Sequence, residues 1–132
     1  MARFSGEYAL EHALLWLFDP EGEPTDFPDI DPAEIAVFSY ESVLVVSAQH
    51  EVDGRVRLDV YVDEEPKLDR VPVNLGEGQF ELFSGRLAVA GSPSFEVEDE
   101  FRIAGGLYDL AVYGDSDAYS GHVVLHLVRR GA

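Results

Sequence analysis

The chain is dominated by short runs in which apolar residues recur at every second position, broken at close intervals by glycine, proline and aspartate. Arg55, Arg57, Asp59 and Tyr61 alternate with Val56, Leu58, Val60 and Val62, a half-buried strand pattern. Val43 to Ala48 is almost continuously apolar and β-branched, which suits a strand covered on both faces. Further strand patterns follow at Phe80–Phe83, Arg86–Ala90, Ser94–Val97, Phe101–Ile103, Leu107–Tyr113 and Val123–Val128. Turn residues separate them: Gly76 and Gly78, Gly91-Ser92-Pro93, Gly105-Gly106 and Gly114-Asp115-Ser116-Asp117. About eight short strands at this spacing predict an all-β fold, a two-sheet antiparallel β-sandwich. With 132 residues and neither repeat nor linker, the expected organisation is one domain over 1–132.

Two stretches are less regular. Tyr8 to Phe18 alternates at first and then becomes apolar on both faces at Leu15 and Leu17, predicting one long strand exposed at its start and buried at its end. A helix over 7–18 is the alternative, because Tyr8, Leu14, Leu15 and Phe18 also share a helical face. Residues 19–34 are rich in acid and proline. There Asp31 as N-cap, Pro32 at the first helical position and Glu34 at the third predict one short helical turn near 33–38. Asp53-Gly54, between the runs 43–48 and 55–62, is a hairpin signal.

Charge narrows the functional classes. Nine Lys and Arg face 26 Asp and Glu, a formal net charge of −17, with 46% hydrophobic residues that set the chain apart from a disordered acidic tail. A single lysine, Lys67, and eight arginines argue against direct nucleic-acid binding. The absence of cysteine removes thiol catalysis, disulfides and thiolate metal sites. The longest apolar run, residues 13–18, is far shorter than the roughly 20 residues of a membrane-spanning helix and lacks a basic leader, so no membrane is expected and a cytoplasmic location is. The acids are uneven. Residues 1–66 carry a balance of −13, residues 67–132 one of −4, and 19–34 holds seven acids and no base.

No arrangement of residues announces catalysis. There is no G-x-S-x-G elbow, and the 26 acids give no means of singling out a raised-pKa pair, so no enzyme is expected. Asp19, Asp26, Asp29 and Asp31 are hard oxygen donors but lack EF-hand spacing, and neither metal nor cofactor is predicted. His122 and His126 lie in a strand pattern, where i and i+4 are ~13 Å apart on one face. They read as solvent-facing strand histidines. Trp16 and Phe18 read as core. Phe27 stands among carboxylates, as a plug onto a sheet or as an exposed anchor for a basic partner.

The charge far exceeds what solubility needs, which a magnitude of about 2–8 supplies. Two explanations remain: a salt-adapted surface, or a basic partner steered and held by carboxylates. Nucleases are natural basic partners, because their clefts receive phosphate. The expected contact set is Asp26, Phe27, Asp29 and Asp31, with Glu64 and Glu65 at a strand end as a second patch. The alternatives are a small-ligand or carbohydrate site on one sheet face, using Tyr61, Tyr113, Tyr119 or His126, and a structural or assembly subunit. A monomer or weak homodimer is expected.

Phe4-Ser5-Gly6-Glu7-Tyr8 in an opening strand, the stretch Asp31 to Ala48, Ser84 to Val89, and the Gly-x-Tyr-x-Leu strand of Gly106-Leu107-Tyr108-Asp109-Leu110 carry a resemblance. In these the chain resembles the competence-protein-J family, small acidic β-rich proteins that inhibit a partner nuclease. The resemblance covers most of the chain in order and length. It implies a shared fold and an inhibitory role, with no family site residue carried over position by position.

Overall fold

A computed structural model describes residues 2–21, 36–40, 42–91, 97–117 and 119–130. Two five-stranded sheets face each other, as the alternation predicts. The first is built from β1 (Ala2–Tyr8), β5 (Val56–Val62), β10 (His122–Arg129), β9 (Gly106–Gly114) and β6 (Val73–Leu82), in that spatial order. The second is built from β3 (Val37–Tyr40), β4 (Val43–Ser47), β2 (Leu14–Phe18), β7 (Arg86–Ala90) and β8 (Asp99–Arg102). Among the described residues seven of the eight ladders are antiparallel. The exception is β5 beside β10, which run parallel with His122 opposite Arg57 and His126 opposite Tyr61.

The core lies between the sheets and follows the two-residue period. Val56, Leu58 and Val60 of β5, Val123, Leu125 and Leu127 of β10, and Tyr108, Leu110 and Val112 of β9 point inward from the first sheet. Leu15 and Leu17, Leu44 and Val46, and Leu87 and Val89 meet them from the second. The other face of the second sheet carries its own buried cluster, with Leu14, Trp16, Phe18, Val43 and Val45 among its members. That is why β2 throughout and β4 from Val43 to Val46 are apolar rather than alternating. Inside the core, the Tyr108 hydroxyl donates to the Ala104 carbonyl at 2.5 Å, and burial pushes its pKa up.

The sheets also touch along both flanks. The Phe4 ring of β1 stacks on Phe101 of β8 at 5.0 Å, and the Tyr8 hydroxyl donates to Asp99 Oδ2 at 2.9 Å. On the opposite flank β6 comes so close to β3 that a Cβ on Gly76 would lie 3.0 Å from Val37 Cβ, and one on Gly78 would lie 2.6 Å from Ser39 Oγ.

Several local expectations give way. The stretch 7–18 is two strands in different sheets. The chain crosses from one sheet to the other through residues 9–13, where Ala13 takes φ 58°. Asp53-Gly54 is not a hairpin, because β4 and β5 also belong to different sheets. A 3-10 turn at Glu51–Asp53 starts that crossing, capped by His50 Nδ1 accepting from the Val52 amide. Gly76 and Gly78 lie within β6 rather than in a turn, next to a register shift after Asn74, because the approach of β3 leaves no room for side chains there. Of the helical turn expected near 33–38, residues 33–35 lie outside the described residues. Val37 and Phe38 pair in β3 with Val46 and Val45, where their branched and aromatic side chains suit a sheet. The strand expected at 94–97 is represented among the described residues only by Val97, which is in no strand.

Candidate functional site

The outward face of the first sheet is acidic along one edge and mixed in charge toward the other. On β6, Glu77, Gln79 and Glu81 point out and are exposed, and β9 sets the exposed Asp109 opposite Gln79. Arg130 reaches Asp109 at 3.5 Å. A depression of about 330 Å³ lies here, lined by Glu77, Asp109, His126 and Val128 among others. Toward β1 and β5 the outward side chains are Arg3, Ser5 and Glu7 of β1 and Arg57, Asp59 and Tyr61 of β5, with Glu7 opposite Arg57, joined from β10 by His122.

Asp59 is the centre of this second region. Although it sits on an outward position, it is only 3% exposed. Ser5, directly opposite on β1, donates through Oγ to Asp59 Oδ1 at 2.5 Å. Arg57, two residues earlier on the same face, donates through Nε to Oδ2 at 3.1 Å, and His122 Nε2 lies 2.6 Å from the same oxygen. Burial alone would raise the Asp59 pKa, but the hydrogen bonds from Ser5, His122 and Arg57 together with the Arg57 charge outweigh it and hold the carboxyl below its ordinary value. An ionised carboxylate only accepts, so His122 carries its proton on Nε2. The order of the groups matters chemically. Here the carboxylate stands between the serine and the histidine, whereas a nucleophilic triad needs the histidine between them.

The loop 63–72 extends over this face. Leu68 and Val71 pack with Tyr61, Val124 and Tyr113, which makes Tyr61 2% exposed. The expectation of an exposed Tyr61 as a ligand platform is therefore corrected. Lys67, Asp69 and Arg70 of the same loop edge a cleft of about 360 Å³ whose floor includes Arg57, Asp59 and His122. His122 is likewise not a plain solvent-facing strand histidine but a partner of a buried carboxylate.

Of the expected contact residues, Glu64 and Glu65 stand just past the end of β5, the first half-exposed and the second exposed, at the start of that loop. Asp63 before them ties the turn to β10, donating its amide to the Leu127 carbonyl at 2.8 Å and accepting from the Arg129 amide at 2.9 Å. Asp26, Phe27, Asp29 and Asp31 lie outside the described residues, so the structure does not bring them together with Glu64 and Glu65. Asp19, the first acid of their segment, is fully buried. Its Oδ2 accepts from the Phe83 and Ser84 amides at 2.8 Å each, and its Oδ1 from the Glu21 amide at 2.9 Å. Burial works to raise its pKa, but the hydrogen bonds from Ser84, Glu21 and Phe83 prevail and lower it. Asp19 is thus a clamp between the end of β2 and the β6–β7 turn, with both oxygens engaged. Among the described residues no group of three or more His, Asp or Glu side chains is arranged to hold a metal ion. Nor is any helix among them long and apolar enough to cross a membrane.

These features define a two-sheet all-β sandwich with one polar outer face. Two solved structures share that fold nearly end to end. One is the crystal structure of ComJ, inhibitor of the DNA-degrading activity of NucA, from Bacillus subtilis, with a TM-score of 0.72 at 12% identity, over 96% of this chain and 95% of that one. The other is described as crocagin biosynthetic gene J, with a TM-score of 0.62 at 11% identity, over 98% of this chain and 99% of that one. At such identities the likeness is one of fold, and it bears out the fold expected from the competence-protein-J resemblance. No family model and no curated protein matches the sequence.

Proposed function

We propose that this chain is a non-enzymatic binding protein, an inhibitor or immunity-type protein that occludes a basic protein partner such as a nuclease. The observation that carries the reading is the end-to-end fold likeness to a nuclease inhibitor in a chain of net charge −17. Carboxylates offered where a nuclease cleft receives phosphates would be attracted at long range and held at short range. Asp26, Phe27, Asp29 and Asp31 form the proposed primary contact, with Glu64 and Glu65 as a second patch. The whole chain acts as one binding unit in the cytoplasm, without metal or cofactor. The exposed Glu77, Glu81 and Asp109 extend the acidic surface available to such a partner.

The test is to immobilise the intact protein, pass native host lysate over it, elute with a salt gradient and identify what is retained by mass spectrometry. The retained protein is then assayed for DNA degradation with and without this chain. A single basic nuclease, eluting at moderate salt and silenced stoichiometrically, is the expected result. A smear of ribosomal proteins lost by about 0.15 M salt, where screening reaches ~8 Å, overturns it and makes the charge generic.

A further inference from the structure

Four of the nine Lys and Arg residues gather at one cleft, in a chain where acids outnumber bases almost three to one. Arg3 and Arg57 come from the sheet, Lys67 and Arg70 from the loop above it, and His122 adds a ring from β10. The acids lining it are Asp59 and Asp69, while Glu7, opposite Arg57 on β1, lies outside the lining. Arg3, Lys67 and Arg70 make no ion pair with any described residue, although carboxylates are abundant. Arg3 instead lies over the Tyr61 ring, 5.0 Å from its centroid. Asp59 is buried and accepts from Ser5, Arg57 and His122, so it orients cationic groups at the floor rather than repelling an incoming anion.

We propose that this cleft binds a phosphate dianion, free or as the monoester of a small molecule. The formal charges of the four cations and two acids leave an excess of two positive charges, which matches the roughly −1.5 to −2 of a phosphomonoester at neutral pH. Arginine forks and a lysine ammonium are the side chains that recognise such oxygens. The volume of about 360 Å³ is that of a small-molecule site. The net charge of −17 does not forbid entry, because at physiological salt charges beyond about 8 Å are largely screened. It does act against a polynucleotide, whose strand would run out of the cleft onto acidic surface. The inference stands apart from the inhibitor reading, since occupancy is measured with no protein partner present.

The experiment is an NMR titration of the intact, isotopically labelled protein with inorganic phosphate and, separately, glycerol 3-phosphate, at ionic strength held constant with chloride. Saturable shifts of the His122 ring and the Arg3 and Arg57 Nε–H signals, with half-saturation in the low-millimolar range or tighter, are expected. Lys67→Gln combined with Arg70→Gln weakens binding at least tenfold, whereas Arg102→Gln on the other sheet leaves it unchanged. Both loop side chains are exposed, and an otherwise unaltered spectrum verifies the fold of the double variant. Tighter binding of glycerol 3-phosphate identifies a monoester as the ligand, and equal binding identifies free phosphate. Shifts that stay linear, that chloride alone reproduces, or that persist undiminished in the double variant overturn the proposal.

Discussion

His122 Nε2 lies 2.6 Å from Asp59 Oδ2, joining two residues 63 positions apart that are brought together by a parallel pairing of β5 and β10. The same carboxylate also receives Ser5 of β1, so one buried anion holds three adjacent strands in lateral register. Replacing Asp59 by Ala leaves a hydroxyl, an imidazole N–H and a guanidinium without their acceptor. Arg57 and His122 are partly exposed and can turn to water, so the expected loss is about 1–3 kcal/mol rather than that of a fully buried pair. Denaturant unfolding of Asp59→Ala, His122→Ala and the double variant measures it. Full additivity of the two single losses would show that the bond contributes nothing.

Acid should reveal both buried carboxylates. Asp19 and Asp59 have pKa values lowered from an ordinary 3.8 in the folded chain. A lowered folded pKa adds stability that is fully present above the unfolded value and is lost as pH falls through the folded one. Stability is therefore expected to hold at pH 5 and above as far as these groups are concerned, and to decline below about pH 4. Asp19→Asn is expected to be less stable at pH 7 and to lose less between pH 5 and pH 3. Equal losses in variant and parent over that interval would remove Asp19 from the account.

Tyr108→Phe keeps the ring in the core and deletes only the hydroxyl that donates to the Ala104 carbonyl. The expected cost is about 1 kcal/mol, a typical net hydrogen bond, with the slope of unfolding against denaturant unchanged. A loss as large as that of Tyr108→Ala would mean that the ring had shifted instead.

The close approach of β3 to β6 predicts that Gly76→Val is poorly tolerated. A branched side chain there runs into Val37, and overpacking of this kind costs about 1–3 kcal/mol. Faster amide exchange confined to β3 and β6 in this variant is the expected signature. Exchange altered evenly across the chain would point to a different cause.

Charge neutralisation separates steering from contact. Asp26→Asn, Asp29→Asn and Asp31→Asn together, with or without Glu64→Gln and Glu65→Gln, are expected to slow association with a basic partner and flatten its salt dependence. No loss of thermal stability is expected to accompany the slower association. Stopped-flow association across a salt series checks this. An association rate equal to that of the parent at low salt would exclude these acids from the interface.

Periodicity carried the architecture where both neighbours of a residue obeyed it. The unbroken apolar runs of β2 and β4 predict two-sided burial, and the structure has it, whereas the alternation of Val56 to Val62 places Val56, Leu58 and Val60 in the core but gives no sign that Asp59 and Tyr61 on the other face are buried too. What local pattern could not convey was which sheet the next strand joins. The alternation passes uninterrupted through residues 9–13, and Ala13 is not a residue type that marks a left-handed turn. Asp53-Gly54 looks the same whether the following strand turns back or crosses over. The Asp59 cluster was hidden for a related reason. Arg57, Asp59 and Tyr61 could be placed on one face, but their parallel neighbour His122 and the covering loop are matters of tertiary pairing.

The two flank contacts bear on how a partner can attach. β1 and β8 are the outermost strands on one side and are linked through Phe4–Phe101 and Tyr8–Asp99, while β6 and β3 abut on the other. An incoming strand seeking to extend either sheet by main-chain hydrogen bonds would find the margin of the opposite sheet beside its track. Mutual shielding of this sort disfavours docking by strand addition and equally disfavours edge-to-edge stacking of one copy on another. Recognition is left to side chains on the faces and loops, where the exposed acids Glu65, Glu77, Glu81 and Asp109 stand.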